Sequence, residues 1–422
     1  MSAPGTGTAG LAVYDSLRRE PRPLAPPDGR LNIYSCGPLV LNRIHLGHLR
    51  QYLNVDSLKR AALAQGCQVR QVLTLTDVAR HSSAEQVAQA GPITAGFFDD
   101  LAALSILPPD VTPRLSEHIE LIVGAARRLE QLDRAYRTPA GLYFDTAASP
   151  GYGRLSGLTA EAQLPGHRIA RDFDALRSPT DFAVWRLVDP ATDRGWDSPW
   201  GFGIPGWHIP CTAMATHYLD RIDVHSGVEH HRRLHHVNEL AQAEALTPER
   251  QPWVECWHHT ADLTTAGGRL TRAGETRAPS LADVLATGAA AADVRYVMLG
   301  GHYRQRLDLD DAGLRAASRA RTRLRARIAG KALPPPRSRP TVEAVRQVIG
   351  TGVGKRYLDL IDSALCRDVN TARLLALVHQ LAKDPTVPAH QEADLWALLT
   401  AVLGLSFTEP ESPDPLAVSP HA

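Results

Sequence analysis

Four residues far apart in the chain have the types that hold a soft metal ion. Cys36 follows a short apolar run in Y-S-C-G-P, and Cys211 ends the segment G-W-H-I-P-C. His235 and Glu239 are four residues apart, so one face of a helix would present both. Thiolates, an imidazole and a carboxylate together form a donor set that Zn²⁺ accepts. A thiophilic site of this kind points to a sulfur-containing substrate.

Each of these residues also has an ordinary interpretation. A lone buried cysteine usually packs as a small apolar side chain. His235 has three neighbours of the same type that compete with it as a ligand, namely His230, His231 and His236. No C-x-x-C pair marks the site. Residue types alone therefore leave a zinc site and a set of ordinary core residues equally open.

A second group of histidines lies at the start of a predicted helix. The pattern H-L-G-H at 45–48 follows a strand pattern at 31–35 and opens a helical pattern. His45 and His48 at a helix N-terminus, with Gly47 permitting close approach, suit a nucleotide polyphosphate. A chance match or a pair of surface histidines is the alternative interpretation.

Two other segments have both a functional and a purely structural interpretation. Trp207 either packs in a core, as most tryptophans do, or walls a substrate pocket beside Cys211. Arg269 and Arg272 lie three residues apart in a Gly-rich segment. Two arginines in a mobile loop can clamp phosphates. The alternative is a solvated surface loop.

The order of the predicted elements indicates an α/β fold with a parallel sheet. Strand, Gly-containing loop, helix and strand at 31–75 form a βαβ unit. Ligands of such sheets bind at the carboxyl ends of the strands. The predicted organisation is an N-terminal lead-in (1–30), a catalytic domain in two parts (31–80 and 201–310), a connective insertion (81–200), a C-terminal α-helical bundle (311–406) and a disordered Pro-rich tail (407–422).

Composition sets limits on the class of protein. The 422 residues, 44% of them hydrophobic and 22% charged, predict a globular chain of two or three domains. A net charge of +1 gives the whole molecule no strong attraction for nucleic acid, although a local basic patch is compatible with it. The five cysteines are irregularly spaced, and neither a secretory signal nor a membrane-spanning run is found. We therefore expect a cytoplasmic protein with reduced thiols and no membrane partner.

Several segments, taken in order, resemble cysteinyl-tRNA synthetase, a class I aminoacyl-tRNA synthetase. The resemblance extends over about residues 12–310 and gives several independent matches. The matching stretches include I-Y-S-C-G-P-L-V-L-N-R-I-H-L-G-H, L-T-L-T-D-V, G-W-H-I-P-C-T-A-M, H-H-V-N-E-L-A-Q-A-E and V-R-Y-V-M-L-G-G-H-Y-R.

The resemblance implies a Rossmann-type catalytic domain that activates cysteine with ATP and Mg²⁺. It implies Zn²⁺ bound by all four residues named first, with the substrate thiolate as a further ligand. Serine would be rejected because its hydroxyl is a poor zinc ligand. By the same resemblance, the ATP-side residues are His45, Gly47, His48, Gly227, His230, Arg269 and Arg272, and the amino-acid side is Leu39, Asp77 and Trp207.

The chain departs from the family mainly on the nucleotide side. The family's K-M-S-K-S loop is matched by R-L-T-R-A at 269–273, and Arg is not equivalent to Lys. In the stretch that matches H-G-G-G-I-D, Val228 replaces a glycine and His230 replaces the acidic residue. Leu39 replaces a threonine, and only Asp77 remains of the acidic set in T-D-V-D-D. Thiol recognition is therefore the better preserved half of the predicted site.

The region beyond the catalytic domain bears on the acceptor. Helices to about Leu405 resemble the family's bundle, and the small anticodon-reading module does not follow them in this sequence. This length resembles the mycothiol-pathway cysteine ligase. The leading hypothesis is a zinc-dependent ligase that passes cysteine, or a close thiol analogue, to a small-molecule amine. The alternatives are a divergent synthetase charging tRNA-Cys, and a non-catalytic or aminoacyl-tRNA-using paralogue that binds a thiol metabolite.

Overall fold

The computed structural model describes residues 10–79, 82, 84–158, 176–265, 268–269, 279–329, 331 and 340–407. Arg272, part of the predicted insertion and nearly all of the predicted tail lie outside these residues. Phe407, predicted as the first tail residue, is buried, with its ring centroid 5.8 Å from that of Trp396. The disordered tail therefore cannot begin at residue 407.

A four-stranded parallel sheet forms the centre of the catalytic region, which confirms the predicted α/β class. The strand order is β10-β9-β3-β4, and helix α1 (Leu46–Ala64) connects β3 to β4. The chain leaves β3 toward one edge of the sheet and β9 toward the other. A crevice for ligands is expected where the order reverses, between the carboxyl ends of β3 and β9. These strands are β3 (Arg30–Ser35), β4 (Gln68–Leu73), β9 (Ile222–Val228) and β10 (Val254–Thr260).

Helix α1 is buried along most of its length and ties the sheet to the C-terminal helices. Its Asp56 carboxylate lies 2.9 Å from the Arg60 guanidinium and 2.5 Å from that of Arg295. Arg295 belongs to α9 (Ala291–Gly300) and also donates to the carbonyl of Leu403. All three charged side chains are at most 1% exposed. One carboxylate therefore neutralises charge from two elements inside the core.

The insertion contains an antiparallel sheet in the order β5-β6-β7-β8. Strand β8 pairs with β7 and extends the insertion beyond the predicted boundary at residue 200. Its hydrophobic core includes Ile209, Ala213 and Ala241. The insertion is thus packed against the helices that carry candidate ligands. Its elements are α2 (Ala84–Ala88), α3 (Ala90–Ala103), α4 (Ile119–Gln131), β5 (Ala135–Thr138), β6 (Gly141–Phe144), β7 (Phe182–Leu187) and β8 (Gly203–Pro205).

Residues 10–30 are not the loosely held lead-in that their Pro and Gly content suggests. Strands β1 (Ala12–Asp15) and β2 (Glu20–Pro23) form an antiparallel hairpin. The Asp15 carboxylate accepts a hydrogen bond of 3.0 Å from the backbone N–H of Trp257 in β10. Val13 is fully buried. The hairpin is therefore part of the folded core.

The remaining elements confirm the predicted helical region after residue 310. A small sheet, in the order β12-β11-β13, precedes it. No helix among the described residues is both long enough and apolar enough to cross a membrane. These elements are α5 (Ile209–Tyr218), α6 (Glu229–Leu234), α7 (His236–Leu246), β11 (Leu263–Thr265), β12 (Gly268–Arg269), α8 (Leu281–Leu285), β13 (Leu307–Asp308), α10 (Asp311–Ala329), α11 (Val342–Ile349), α12 (Val353–Cys366), α13 (Thr371–Leu381) and α14 (Ala389–Leu403).

The buried charge cluster gives a stability prediction. Asp56→Asn leaves two guanidinium groups in the core without a counter-charge, so we expect a loss of about 3–5 kcal/mol in unfolding free energy. Urea denaturation measures this loss. The control is Asp359→Asn, because the Lys355–Asp359 pair is 44% and 45% exposed and exposed pairs contribute about 0–1 kcal/mol. Similar losses in the two variants would contradict the assignment.

Candidate active site

The register of the parallel sheet brings the first ligand to the crevice. Ser35, the last residue of β3, pairs with Ser226 in β9. Cys36 follows, and its backbone N–H donates to the Ser226 carbonyl at 3.4 Å. On the other side of β9, Gly227 pairs with His259 of β10. Cys36, Gly227 and His259 therefore lie in adjacent strands at the same carboxyl edge.

The other three candidate ligands come from helices that follow the insertion. Cys211 is the third residue of α5, and Glu239 lies in the first turn of α7. His235 and Glu239 do not lie on one continuous helix, because α6 ends at Leu234 and α7 begins at His236. His235 Nε2 nevertheless lies 2.5 Å from Glu239 Oε1. The i, i+4 spacing survives the break because the helical backbone hydrogen bond from Glu239 to His235 is retained.

The structure brings the four predicted metal ligands together. Their donor atoms all lie within 4.8 Å of one another, and all four residues are buried. Glu239 Oε2 is buried and accepts no hydrogen bond of good geometry, although His225 Nε2 lies 3.1 Å away, and a buried oxygen left in this way destabilises a folded protein unless something else satisfies it. Zn²⁺ binds sulfur, nitrogen and oxygen donors at about 2.0–2.3 Å, a radius that suits this spacing. The residues present fit a metal ion: Cys36, Cys211, His235 and Glu239.

A second donor set overlaps the first and was not predicted. It keeps Cys36 and Glu239 but replaces the other two ligands with His225 and His236. Cys36 Sγ lies 3.3 Å from His236 Nε2 and 3.5 Å from His225 Nε2. Glu239 Oε2 lies 3.1 Å from His225 Nε2. The Glu239 carboxylate thus has one oxygen toward each set.

The surroundings decide which set faces a substrate. The His225 ring stacks on Trp257 with centroids 4.6 Å apart, and both are fully buried. His235 instead lies 5.3 Å, centroid to centroid, from Trp207, which is 56% exposed. The exposure rules out the core-aromatic interpretation of Trp207. The predicted set is therefore the one on the open side of the cluster.

The charges within the cluster are strongly coupled. A hydrogen bond with Cys36, opposed by burial, lowers the pKa of Cys211 to about 6. Burial and the same hydrogen bond raise the pKa of Cys36 well above its usual value. Burial opposes protonation of His235, but Glu239 and Cys211 outweigh it and raise its pKa to about 10. In the ion-free site the protonated His235 thus lies beside a thiolate and a carboxylate, and a metal ion would have to displace its proton, because a ligating imidazole is neutral.

A shell of buried histidines and amides holds the ligands in place. His208 Nδ1 lies 2.9 Å from His235 Nδ1, so Nε2 of His235 is the nitrogen left for a metal. Asn238 Nδ2 lies 3.0 Å from His208 Nε2, and the Tyr152 hydroxyl donates to Asn238 Oδ1 at 2.6 Å. Such partners fix the orientation and tautomer of a ligating histidine. Sequence reasoning missed this shell, although the paired histidines at 235–236 and 258–259 were a visible signal.

The H-L-G-H segment starts α1 as predicted. His45 immediately precedes the helix, and its Nδ1 accepts a 3.1 Å hydrogen bond from the Gly47 N–H. The His45 and His48 rings stack with centroids 3.8 Å apart. The N-terminus of this 19-residue helix favours anions. The geometry is compatible with phosphate binding, and that role stays a prediction.

His231 lies between the candidate metal site and the stacked pair of His45 and His48. Its pKa is lowered well below the usual value by burial and by the charges of His235, His230 and His48. Its Nδ1 is a buried atom without a hydrogen-bond partner. The sequence pattern marks His231 only as a rival ligand. The structure places it beside the site without including it in either donor set.

Two residues predicted to contact the substrate also have structural partners. Asp77 is 7% exposed, and its carboxylate accepts hydrogen bonds from the backbone N–H and the hydroxyl of Ser116. Leu39 is partly buried against the largest hydrophobic core and bridges to Thr76. These contacts account for both side chains within the fold. A further role toward the substrate stays a prediction.

The remaining predicted nucleotide-side residues lie in different secondary-structure elements. A Cβ on Gly227 would lie 2.4 Å from His236 Cε1, so the glycine is required by packing of the histidine shell. His230 is exposed at the start of α6. The backbone of Arg269 lies in β12, which pairs with β11. Arg272 lies outside the described residues, so the arginine clamp as a whole stays a prediction.

Comparisons with known proteins identify the family and the fold of the chain. The family described as tRNA synthetases class I (C) catalytic domain matches residues 25–319. A cysteine-tRNA ligase of Thioalkalivibrio sulfidiphilus is 33% identical over 420 residues, which cover 95% of this chain and 87% of that protein. One of Treponema denticola is 29% identical over 431 residues, covering 94% and 87%. Mycobacterium tuberculosis methionyl-tRNA synthetase in complex with methionyl-adenylate shares the fold, with a TM-score of 0.55 at 14% identity and 88% coverage of each chain.

The fold and the H-L-G-H helix define a class I aminoacyl-tRNA synthetase-like enzyme. The match over more than half of the chain, together with the identity to the relatives above, gives the family directly. The chain belongs to the cysteinyl-tRNA synthetase family. It is an ATP-dependent, AMP-forming ligase of that type.

Substitution of one candidate ligand tests the candidate metal site. We expect Cys211→Ser to lower metal affinity at least about tenfold, because even the loss of a partner behind a ligand lowers affinity about 10–100-fold. Metal analysis after dialysis against a chelator measures the effect. The control is Cys67→Ser, which changes a free cysteine outside both donor sets.

The same assay separates the two donor sets. His236→Asn should keep the metal if the ion lies in the predicted set, since His236 belongs only to the other. Metal lost in His236→Asn but retained in Cys211→Ser would assign the ion instead to the inner donor set, which consists of Cys36, His225, His236 and Glu239.

Proposed function

We propose that this ligase binds cysteine, or a close thiol analogue, through a Zn²⁺ ion held by Cys36, Cys211, His235 and Glu239. The carrying observation is the convergence of these donors at the sheet crevice, beside the helix that begins with H-L-G-H. When bound, the ion lowers the pKa of a substrate thiol and holds it as a thiolate. The chain's own contribution is a buried set of ligands open on the side of Trp207.

The activation step uses ATP with Mg²⁺. A carboxylate oxygen of the amino acid attacks the α-phosphorus, the bond to the β-phosphate breaks, and pyrophosphate leaves. His45 and His48 at the N-terminus of α1 would bind phosphate oxygens as negative charge develops. Arg269 and Arg272 would bind the leaving pyrophosphate. The product is an aminoacyl-adenylate.

The acceptor that we propose is a small-molecule amine. The amine attacks the carbonyl carbon of the adenylate, AMP leaves, the amine loses a proton, and an amide remains. Retention of the thiol-binding ligands beside changed nucleotide-side residues supports a specialised member of the family. The changed nucleotide-side positions are Val228 and His230, and Leu39 is a further change on the amino-acid side.

A second candidate acceptor is tRNA. Relatives named cysteine-tRNA ligase match most of the chain. In addition, α10 presents a row of exposed arginines four residues apart, with no ion pair among the described residues: Arg315, Arg319, Arg323 and Arg327. The net charge of the whole chain is only +1, so this helix concentrates positive charge that composition conceals. Such a row suits a nucleic-acid phosphate backbone.

Pyrophosphate exchange tests the activation step. Purified enzyme should exchange labelled pyrophosphate into ATP when cysteine is present and not when serine replaces it, because a hydroxyl cannot provide the thiolate ligand. Cys211→Ser should lose the exchange, and Cys67→Ser should keep it. Absence of cysteine-dependent exchange in the metal-loaded enzyme would refute activation and favour a non-catalytic thiol-binding role.

Acceptor assays then separate the two candidates. We expect amide products from a panel of amines, including aminosugars, and no stable charging of tRNA-Cys. If tRNA is charged instead, the small-molecule proposal is wrong. In that case Arg319→Gln/Arg323→Gln should weaken tRNA binding. The slope of log affinity against log salt concentration should also fall by about one for each phosphate that the helix no longer binds. The matched control Arg127→Gln/Arg128→Gln changes two exposed arginines on α4.

A further inference from the structure

Arg50 is a fully buried arginine two residues after the H-L-G-H segment. Its guanidinium donates to the backbone carbonyls of Ala261 at 2.7 Å, Asp262 at 2.6 Å and Gln305 at 2.6 Å. A longer contact of 3.4 Å reaches the carbonyl of His302. Burial lowers the pKa of Arg50 to about 10, so the side chain remains protonated at neutral pH. The Arg50 side chain therefore hydrogen-bonds to two backbone segments that are far apart in the sequence.

Both segments lead directly into the small sheet. Ala261 and Asp262 immediately precede β11, and the carbonyl of Gln305 lies two residues before β13. The two strands pair in parallel, with Leu263 opposite Leu307. Strand β12, which carries Arg269, pairs with β11 through Thr264. The hydrogen bonds of Arg50 thus fix the starts of both strands that support the Arg269 strand.

We propose that Arg50 is a positioning residue that sets the small sheet against the N-terminus of α1, so that Arg269 and the histidine pair act on the same ATP. The inference rests on the nucleotide role proposed above for His45, His48 and Arg269. Arg50 itself is not assigned a contact with ATP. It acts through the backbone of β11 and β13.

The chemistry of the side chain supports a positioning role. Its acceptors are backbone carbonyls, so the bonds depend on the path of two chain segments. A guanidinium presents five donors in a rigid planar fork, whereas an ammonium has three donors on one atom. Lysine cannot span both segments in this geometry. A second, weaker link from α1 runs alongside, because Asn54 donates to the Thr260 hydroxyl at 3.3 Å.

The same helix provides a matched comparison. Arg60 is also buried, and its guanidinium binds Asp56 and the carbonyls of Ala401 and Ser105. Those partners lie in α1 itself, in α14 and in the insertion, and none of them lies in the small sheet. Arg60 thus has the same residue type, helix and degree of burial as Arg50. The two arginines differ in what they position.

The test compares Arg50→Lys with Arg60→Lys in pyrophosphate exchange by the full-length, metal-loaded enzyme. We expect Arg50→Lys to raise KM for ATP or lower kcat by at least about tenfold, since small misplacement of a reacting group has effects of this size. KM for cysteine and metal content should stay unchanged. Arg60→Lys should lower the thermal midpoint while its kinetic constants stay within about twofold, below the tenfold effect expected of a misplaced group. In Arg50→Ala, added guanidinium should restore part of the exchange.

Three outcomes separate the inferences. Wild-type enzyme without cysteine-dependent exchange would refute the proposed activation, and this inference with it. Active wild type with an unaffected Arg50→Lys would overturn this inference alone. Equal kinetic losses in Arg50→Lys and Arg60→Lys, following their thermal midpoints, would also overturn it, because that result identifies a purely structural arginine.

Discussion

The burial of α1 is the constraint on which the rest of the structure depends. A helix that enters the core with charged side chains must find a partner for each of them. Arg50 finds carbonyls ahead of the small sheet, and Asp56 with Arg60 finds the bundle. Lys59 donates to the Pro108 carbonyl at 2.8 Å and pairs with Asp110, both within the insertion. Each buried charge therefore fixes one peripheral part of the protein relative to the same helix.

The proposed thiol site and the proposed nucleotide site share β9 and otherwise rest on different elements. The thiol site would be made by the ends of β3 and β9 and by two helices packed on the insertion. The nucleotide site would be made by the start of α1, the end of β9 with α6, and the small sheet. The Arg269 substitution therefore falls on an element separate from the helices of Cys211 and Glu239, whereas Val228 ends β9 itself.

The order of strand, Gly-containing loop, helix and strand predicted β3, α1 and β4, and the helical region after residue 310 was also predicted. Strand β10 was not predicted. The clustering of Cys36, Cys211, His235 and Glu239 was predicted from the resemblance of the motifs around them to those of the family. The inner donor set could not be found in this way, since it depends on the register that places His225 beside Tyr34 and Trp257. The hairpin at 12–23 was missed because Pro-rich composition concealed strands that are held by distant partners such as Trp257.

The insertion and the parallel sheet have separate hydrophobic cores that meet near the ligand helices. Cys36 follows a sheet strand, whereas Glu239 lies 203 residues later on a helix whose Ala241 belongs to the core of the insertion. An ion shared by the two would act as a cross-link closing a very long loop, which reduces the conformational freedom of the unfolded chain. Binding of the metal would then determine how cooperatively the protein folds. Without the ion, the two hydrophobic cores can unfold one at a time.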